Sequence, residues 1–393
     1  MNTIKKMIIS LVILLTIIAL FNLEKIYRLH AIITLFDQEK IVSNFSNMEQ
    51  ATLSLPILKT GKTYQFTQAS KDLPENFTYR NEAVVVNDFL KRRATTALMV
   101  IKNDEVTFED YYLGTKSGDK RISWSMAKSF VSVLFGMQVD AGKIDIEKPV
   151  SFYLPEMKGS GYESVKVRHV LQMSSGVKWD ENYHDFNSDI NKMGRVLAVG
   201  GSLDEMTSEL EGESEPGKAF HYVSMDTHVI GMIIRRVSGQ SLVHLLQERI
   251  WAKIGMQSDA VWITDSKGAA FALGGLNVVT SDYARFGRLL LNNGNWNGEQ
   301  LVSERWLKAS TTAGADYLKS GENQLGYGFQ IWLPPESIAG EFFCVGVYGQ
   351  YIYVNQQENI IIVKNSADKN FSDSRNSKLE TIAFFREIVA SLH

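Results

Sequence analysis

The chain predicts an α+β fold in which one antiparallel sheet takes strands from both ends of the sequence and helices fill the middle. Residues 96–101 and 106–113 are strand-like runs on either side of Asn103-Asp104, a pair suited to the left-handed backbone of a tight hairpin. Residues 327–333, 341–348, 351–355 and 359–365 form a second block of strands, with Gln356-Gln357-Glu358 at the last turn. Between the blocks the apolar residues recur at helical spacing. Two separated strand blocks with helices between them favour a sheet closed by the two ends of the domain.

The N-terminus comes first in chain order. Lys5 and Lys6 precede the uncharged run 7–21, and Glu24, Lys25 and Arg28 follow it. A positive flank before an apolar run reads as an export signal or a membrane anchor. This run of 15 residues makes about 22 Å of helix, against about 30 Å of hydrocarbon. Ala19-Leu20-Phe21 lacks small residues at alternate positions, and no cysteine closes the run for lipid attachment. The expectation is an uncleaved single span, with the rest of the chain outside the cytoplasm, periplasmic or extracellular. Residues 1–36 then form the anchor or signal segment, 37–80 a connecting strap, and 81–393 the main domain.

Within 1–36, residues 26–36 continue as an amphipathic helix. Further helices are expected from Ser125 onward, at 167–174 ending at Gly176, at 227–237 ending at Gly239, and at 281–292, 304–311 and 377–392.

Composition narrows the function. Of the 393 residues 45% are hydrophobic and 22% charged, a globular balance. The net charge of −3 gives no electrostatic case for nucleic acid. Cys344 is the only cysteine, so an intramolecular disulfide is excluded and a buried inert thiol is expected. The seven histidines show no metal-ligand spacing, and neither a metal nor a cofactor is expected. No Gly-x-Ser-x-Gly supports a nucleophile elbow.

Ser125-Met126-Ala127-Lys128 carries the chemistry. A serine and a lysine three apart share one face of a helix, and an amine that burial strips of its charge can take the serine's proton. Ser-x-x-Lys occurs four times, also at Ser117–Lys120, Ser175–Lys178 and Ser366–Lys369. Only Ser125 leads into a long apolar helix pattern, with Phe130, Val131, Val133, Leu134, Phe135 and Met137. Such a helix would aim its first N–H groups at a reacting carbonyl. Tyr222, in Tyr222-Val223-Ser224, sits on a loop after Pro216-Gly217 and just before a helix, which suits a second acid/base; a half-buried loop aromatic is the plainer alternative. His221 reads as a loop histidine. Trp179, Asp180 and Glu181 read equally as a substrate rim or a solvated loop.

These motifs, in collinear order over roughly residues 80 to 390, resemble the serine β-lactamase-like hydrolases of the class C and penicillin-binding type. The shared residues include Val167-Arg168-His169-Val170-Leu171, Ser174-Ser175-Gly176, Gly274-Gly275-Leu276 and Thr280-Ser281-Asp282-Tyr283. Trp124-Ser125-Met126-Ala127-Lys128-Ser129 and Gly346-Val347-Tyr348-Gly349-Gln350 are most similar to the 6-aminohexanoate-dimer hydrolase branch. The resemblance implies a β-lactamase/DD-peptidase-like domain with a mainly helical subdomain. It makes Ser125 the nucleophile, Lys128 its proton acceptor and Tyr222 the second acid/base, with Ser224 where many relatives have asparagine. The family's Lys-Thr-Gly falls on Val347-Tyr348-Gly349, which would place the N–H of Gln350 opposite that of Ser125 as an oxyanion hole. Val347 cannot supply the charge that holds the carboxylate of a β-lactam. The expected activity is therefore cleavage of a small-molecule amide or ester through an acyl-enzyme. The alternatives are a β-lactamase or penicillin-binding peptidase, or a catalytically silent binding protein on the same fold.

Overall fold

The structure, a computed structural model, describes residues 2–373 and 375–392. Met1, Ser374 and His393 lie outside the described residues, as do the side chains of Leu15, Ile17, Ile18 and Ala19 within the expected anchor.

The two ends of the chain do meet in one sheet. Ile360–Ser366 pairs antiparallel with Thr95–Lys102, with Ile362 opposite Val100. From one edge the strands run Gly326–Tyr327, Trp332–Leu333, Glu341–Gly346, Gln350–Asn355, Ile360–Ser366, Thr95–Lys102, Glu105–Tyr111 and Thr67–Gln68. Alternation along each strand makes two cores. Met99, Ile101, Cys344, Ile352 and Val363 face the helices Ala127–Asp140 and Thr280–Leu291. Leu98, Val100, Phe343, Tyr353 and Ile362 face Val86–Arg92 and the C-terminal helix Ser377–Ser391. The hairpin at Asn103 and Asp104 has the positive φ values, 54° and 62°, that its residue types allow. Cys344 is fully buried, and burial pushes its thiol up to about 12.

Two elements differ from the sequence reading. The expected strand 327–333 is interrupted, because Gln330 takes a φ of 62° and turns its side chain to the carbonyl of Leu171. The expected strand 341–348 stops at Gly346, and Val347, Tyr348 and Gly349 form the turn to Gln350. A second sheet of four antiparallel strands was not legible in the sequence. It runs Ser54–Ile57, Ala260–Ile263, Leu276–Val279 and Lys120–Ile122, each strand only three or four residues long.

The expected single span finds no support among the described helices. Among the described residues no helix is long and apolar enough to cross a membrane. The helix Asn2–Phe21 spends its first turns on Lys5 and Lys6, and the next helix, Leu23–Ile33, carries Glu24, Lys25 and Arg28. That second helix packs on Asp189–Val199, where Arg28 donates to the carbonyl of Ala198 at 3.3 Å.

Candidate active site

Ser125 stands where the small sheet hands the chain to the central helix. Ser123 N–H is fixed to the carbonyl of Leu276 at 2.7 Å, and a single tight turn, Trp124–Met126, leads into Ala127–Asp140. Trp124 is held at a φ of 43°, a left-handed conformation that a bulky residue keeps only under surrounding constraint. The constraint is visible: the Trp124 ring packs on Phe36, Phe45 and Tyr348 at centroid distances of 5.9, 5.5 and 5.8 Å. From this turn Ser125 is half-buried at the N-terminus of a 14-residue helix whose interior, including Phe130 and Val131, is fully buried.

Lys128 follows one turn later and is only 1% exposed. Its Nζ donates to Ser224 Oγ at 3.1 Å and lies 5.3 Å from the centre of the Tyr222 ring. Burial draws its amine down to about 7, against the opposing pull of the Glu181 and Asp226 charges. Tyr222 precedes the helix Ser224–Ser238 directly, and its phenol lies beside Ser125. Burial, reinforced by the charge of Glu181, pushes its phenol well up, so Tyr222 is a neutral phenol at ordinary pH. Ser125, Lys128, Tyr222 and Ser224 therefore come together in one place.

Gly349, Gln350 and Tyr348 are placed differently from one another. Gln350 is fully buried and its side chain turns away, donating to the carbonyl of Ser366 and accepting from Asn365 Nδ2. Val347 and Tyr348, not Gly349 or Gln350, line the cavity that holds Ser125. Gly346 explains the shift in position. A Cβ there would lie 2.2 Å from the carbonyl oxygen of Ser123 and 3.0 Å from Trp124 Cβ, so the end of this strand lies directly against the Ser125 turn. The N–H that follows this contact belongs to Val347.

Two carboxylates complete the site, and the sequence reading missed the role of both. Glu181 accepts from Ser224 Oγ at 2.6 Å, from Ser224 N–H at 3.2 Å, and from Trp179 Nε1. It caps the helix behind Tyr222, where a negative charge is favoured. Asp226, in the first turn of that helix, accepts from Tyr162 at 2.9 Å, and burial pushes its carboxyl up to about 8. An acidic residue in a first helical turn reads from sequence as an ordinary dipole partner, so Asp226 gave no separate signal. His221 is held by its backbone to Met173 and takes no part. Among the described residues no group of three or more His, Cys, Asp or Glu could hold a metal ion.

The cavity beside Ser125 has a volume of about 320 Å³. Phe271, Leu273, Gly274, Ile32, Phe36 and Met193 line it. Lys378, from the first turn of the C-terminal helix, lies 4.8 Å over the Trp332 ring, which stacks on Tyr222 at 5.6 Å.

A sheet joining both chain ends, covered by a buried helix that starts at Ser-x-x-Lys and faces a tyrosine loop, defines a β-lactamase-fold hydrolase. The chain belongs to the beta-lactamase family, whose model matches residues 84–385. It is similar to the 6-aminohexanoate-dimer hydrolase of Paenarthrobacter ureafaciens, 30% identical over 295 residues that make up 71% of this chain and 74% of that one. A solved structure named "Putative 6-aminohexanoate-dimer hydrolase from Bacillus anthracis" superposes with a TM-score of 0.83 at 24% identity, over 91% of this chain and 96% of that one. A class C beta-lactamase superposes with a TM-score of 0.56 at 17% identity, over 78% and 94% of the two chains. Both structural likenesses concern the fold.

Proposed function

We propose that this protein is a serine hydrolase that cleaves an amide or ester through an acyl-enzyme on Ser125. The observation that carries the reading is Lys128, a buried amine drawn down to about 7, one helical turn from Ser125 and 3.1 Å from Ser224 Oγ. Ser125 Oγ attacks the carbonyl carbon and Lys128 takes its proton. Negative charge on the carbonyl oxygen is met by the N–H groups of Ser125 and Val347. The phenol of Tyr222 donates to the departing amine or alcohol, and is recharged from Lys128. Water then adds to the acyl carbon, loses its proton along the same route, and frees the acid and Ser125. Glu181 and Ser224 hold Lys128 and the Tyr222 loop in place.

A penicillin-type activity is the second reading, favoured by Lys378 near the Tyr222 stack. Val347, which carries no charge, counts against it. Arg195, a cation in the cavity wall, is already bonded to the carbonyl of Phe186. Labelling with a fluorophosphonate tests the nucleophile, and labelling with a fluorescent penicillin separates the two enzymes. Absence of fluorophosphonate labelling, or equal labelling of Ser125→Ala, would favour the silent binding protein.

We also propose that residues 1–36 attach the domain to a membrane from outside the cytoplasm, with 37–80 as the strap and 81–393 as the hydrolase domain. The support is Lys5 and Lys6 before the apolar run and the exposure of Ile8, Leu11 and Leu14 along it. Fractionation with N-terminal sequencing of the mature protein tests this. Protein that begins after residue 20 or so would identify a cleaved signal instead.

A further inference from the structure

The cavity at Ser125 holds more apolar wall than the chemistry requires. Its volume, about 320 Å³, is that of a small ligand site rather than a packing defect. Ile32, Phe36, Met193, Leu197, Phe271 and Leu273 line it, together with Ser125 and Ser224. The polar groups that reach it are engaged elsewhere: His184 bonds Ser372, Arg195 bonds the carbonyl of Phe186, and Asn191 donates to the carbonyl of Asp185. An amino-terminated chain in this space would lose its hydration and meet no carboxylate, since no Asp or Glu among the described residues lines the cavity. A plain hydrocarbon chain would lose nothing.

The wall made by Ile32, Ile33 and Phe36 belongs to the segment that follows the apolar helix Asn2–Phe21. Ile33 and Phe186 both line the cavity and are themselves 59% and 62% exposed, so the apolar surface continues outward from it. From these observations, and resting on the acyl-enzyme reading above, we infer that the acyl part of the substrate is a straight, uncharged hydrocarbon chain that lies between Phe271 and the Ile32–Phe36 segment. The substrate class is a fatty-acyl ester or amide. Phe36 and Met193 set its length.

The test uses the full-length protein and a series of p-nitrophenyl esters from acetate to dodecanoate, with Ser125→Ala as the blank. kcat/KM is expected to rise about fourfold per added methylene until the cavity is filled, the factor expected for burying one CH₂ group. The 6-aminohexanoate ester should be at least tenfold poorer than hexanoate. Met193→Trp should lower the octanoate-to-acetate ratio at least tenfold. Should that variant fold poorly, binding of a fluorescent C11 fatty acid to the Ser125→Ala protein, displaced by decanoate and not by 6-aminohexanoate, gives the same answer. A flat or falling series, or equal use of the amino-terminated ester, overturns the inference while Ser125-dependent hydrolysis keeps the acyl-enzyme reading. Hydrolysis of the whole series that is unaffected by Ser125→Ala sinks that reading instead. A rising series supports the inference whatever the source of the chain. Release of fatty acid from phosphatidylcholine vesicles then identifies a bilayer lipid as the source, and cleavage of the dissolved esters alone identifies a soluble one.

Discussion

Lys128 Nζ reaches Ser224 Oγ at 3.1 Å, and Glu181 holds the same hydroxyl at 2.6 Å from the other side. A serine hydroxyl thus stands between a buried amine and a carboxylate. Its one proton goes to Glu181, which leaves its oxygen to accept from Lys128. The contact orients the amine without giving it a full counter-ion, so burial decides the charge of Lys128.

Lys128→Arg should be nearly as inactive as Ser125→Ala, because a guanidinium keeps its proton at any working pH. kcat/KM should rise with pH through about 7 and level off above it, as the amine of Lys128 becomes neutral. The linkage sign follows. A lysine whose folded pKa lies below its unfolded value of about 10.4 weakens the fold most below about pH 7, and that penalty fades as pH rises between the two values. Lys128→Met should therefore be more stable than the parent at pH 6, by about 1–4 kcal/mol, while inactive. Chemical denaturation at pH 6 and pH 9 checks this; a variant less stable at both would mean that the amine is charged and paired.

Tyr222→Phe keeps the ring that packs on Trp332 and removes only the hydroxyl beside Ser125. The fold should be unchanged, and turnover should fall by about 10²–10⁴, the usual worth of one proton-transfer group. Fluorophosphonate labelling should slow far less than amide turnover, because the probe's good leaving group needs little help from an acid. Equal losses in both assays would make Tyr222 an orienting group for Ser125.

Gly346→Ala places a methyl where Ser123 O and Trp124 Cβ already stand. The strand end and the Ser125 turn must part, which widens the distance between the N–H groups of Ser125 and Val347. Overpacking of this kind costs about 1–3 kcal/mol. The activity loss should exceed what stability explains, reaching about 10²–10³ in kcat as for a lost oxyanion donor. Gln350→Ala offers the contrast, since its side chain serves Ser366 and Asn365 rather than the cavity. If Gly346→Ala were fully active and an N–H-blocking change at Gln350 were not, the hole would belong to Gln350.

Why the serine, lysine and tyrosine stand out in the sequence while the third motif does not is a matter of geometry. Ser125 and Lys128 are three apart on a helix, so their spacing alone fixes a shared face, and Tyr222 is announced by a proline-glycine turn and a helix start. The oxyanion position depends on where a strand stops. One residue of register moves a backbone N–H to the other face, and nothing in Gly346-Val347-Tyr348-Gly349 marks Gly346 as the last paired residue. The large sheet was legible because its strands are long and apolar. The small sheet was not, because strands of three or four residues carry too little periodicity. Glu181 was visible only as a rim residue, since Ser224, the partner that ties it to Lys128, lies 43 residues away in the chain. The helix Leu23–Ile33 reads as amphipathic from its own pattern, but the face it covers, Asp189–Val199, is set by tertiary packing.

Glu380 ties the C-terminal helix to the rest of the domain. Burial works against its charge, but hydrogen bonds from Arg92 and Arg93 outweigh it and hold the carboxyl at about 2. Arg92 pairs with it at 2.9 Å and Arg93 at 2.6 Å, and Arg93 also reaches Asp373 at 2.9 Å. The unfolded value is about 4.3, so the folded state binds this proton less readily. The stabilisation is complete above about pH 4.3 and is lost as pH falls through about 2. Glu380→Gln removes one of three carboxylates that hold the buried Arg93, leaving Asp373 and Asp368, and should cost about 1.5–3 kcal/mol at pH 7. Urea unfolding of parent and variant at pH 6 and pH 3 should show the gap narrowing at the lower pH. Because the helix also carries Lys378 to the Trp332–Tyr222 stack, the same variant should show altered kcat while still folded in low denaturant. A stability loss with no change in kcat would separate the ion cluster from the active site.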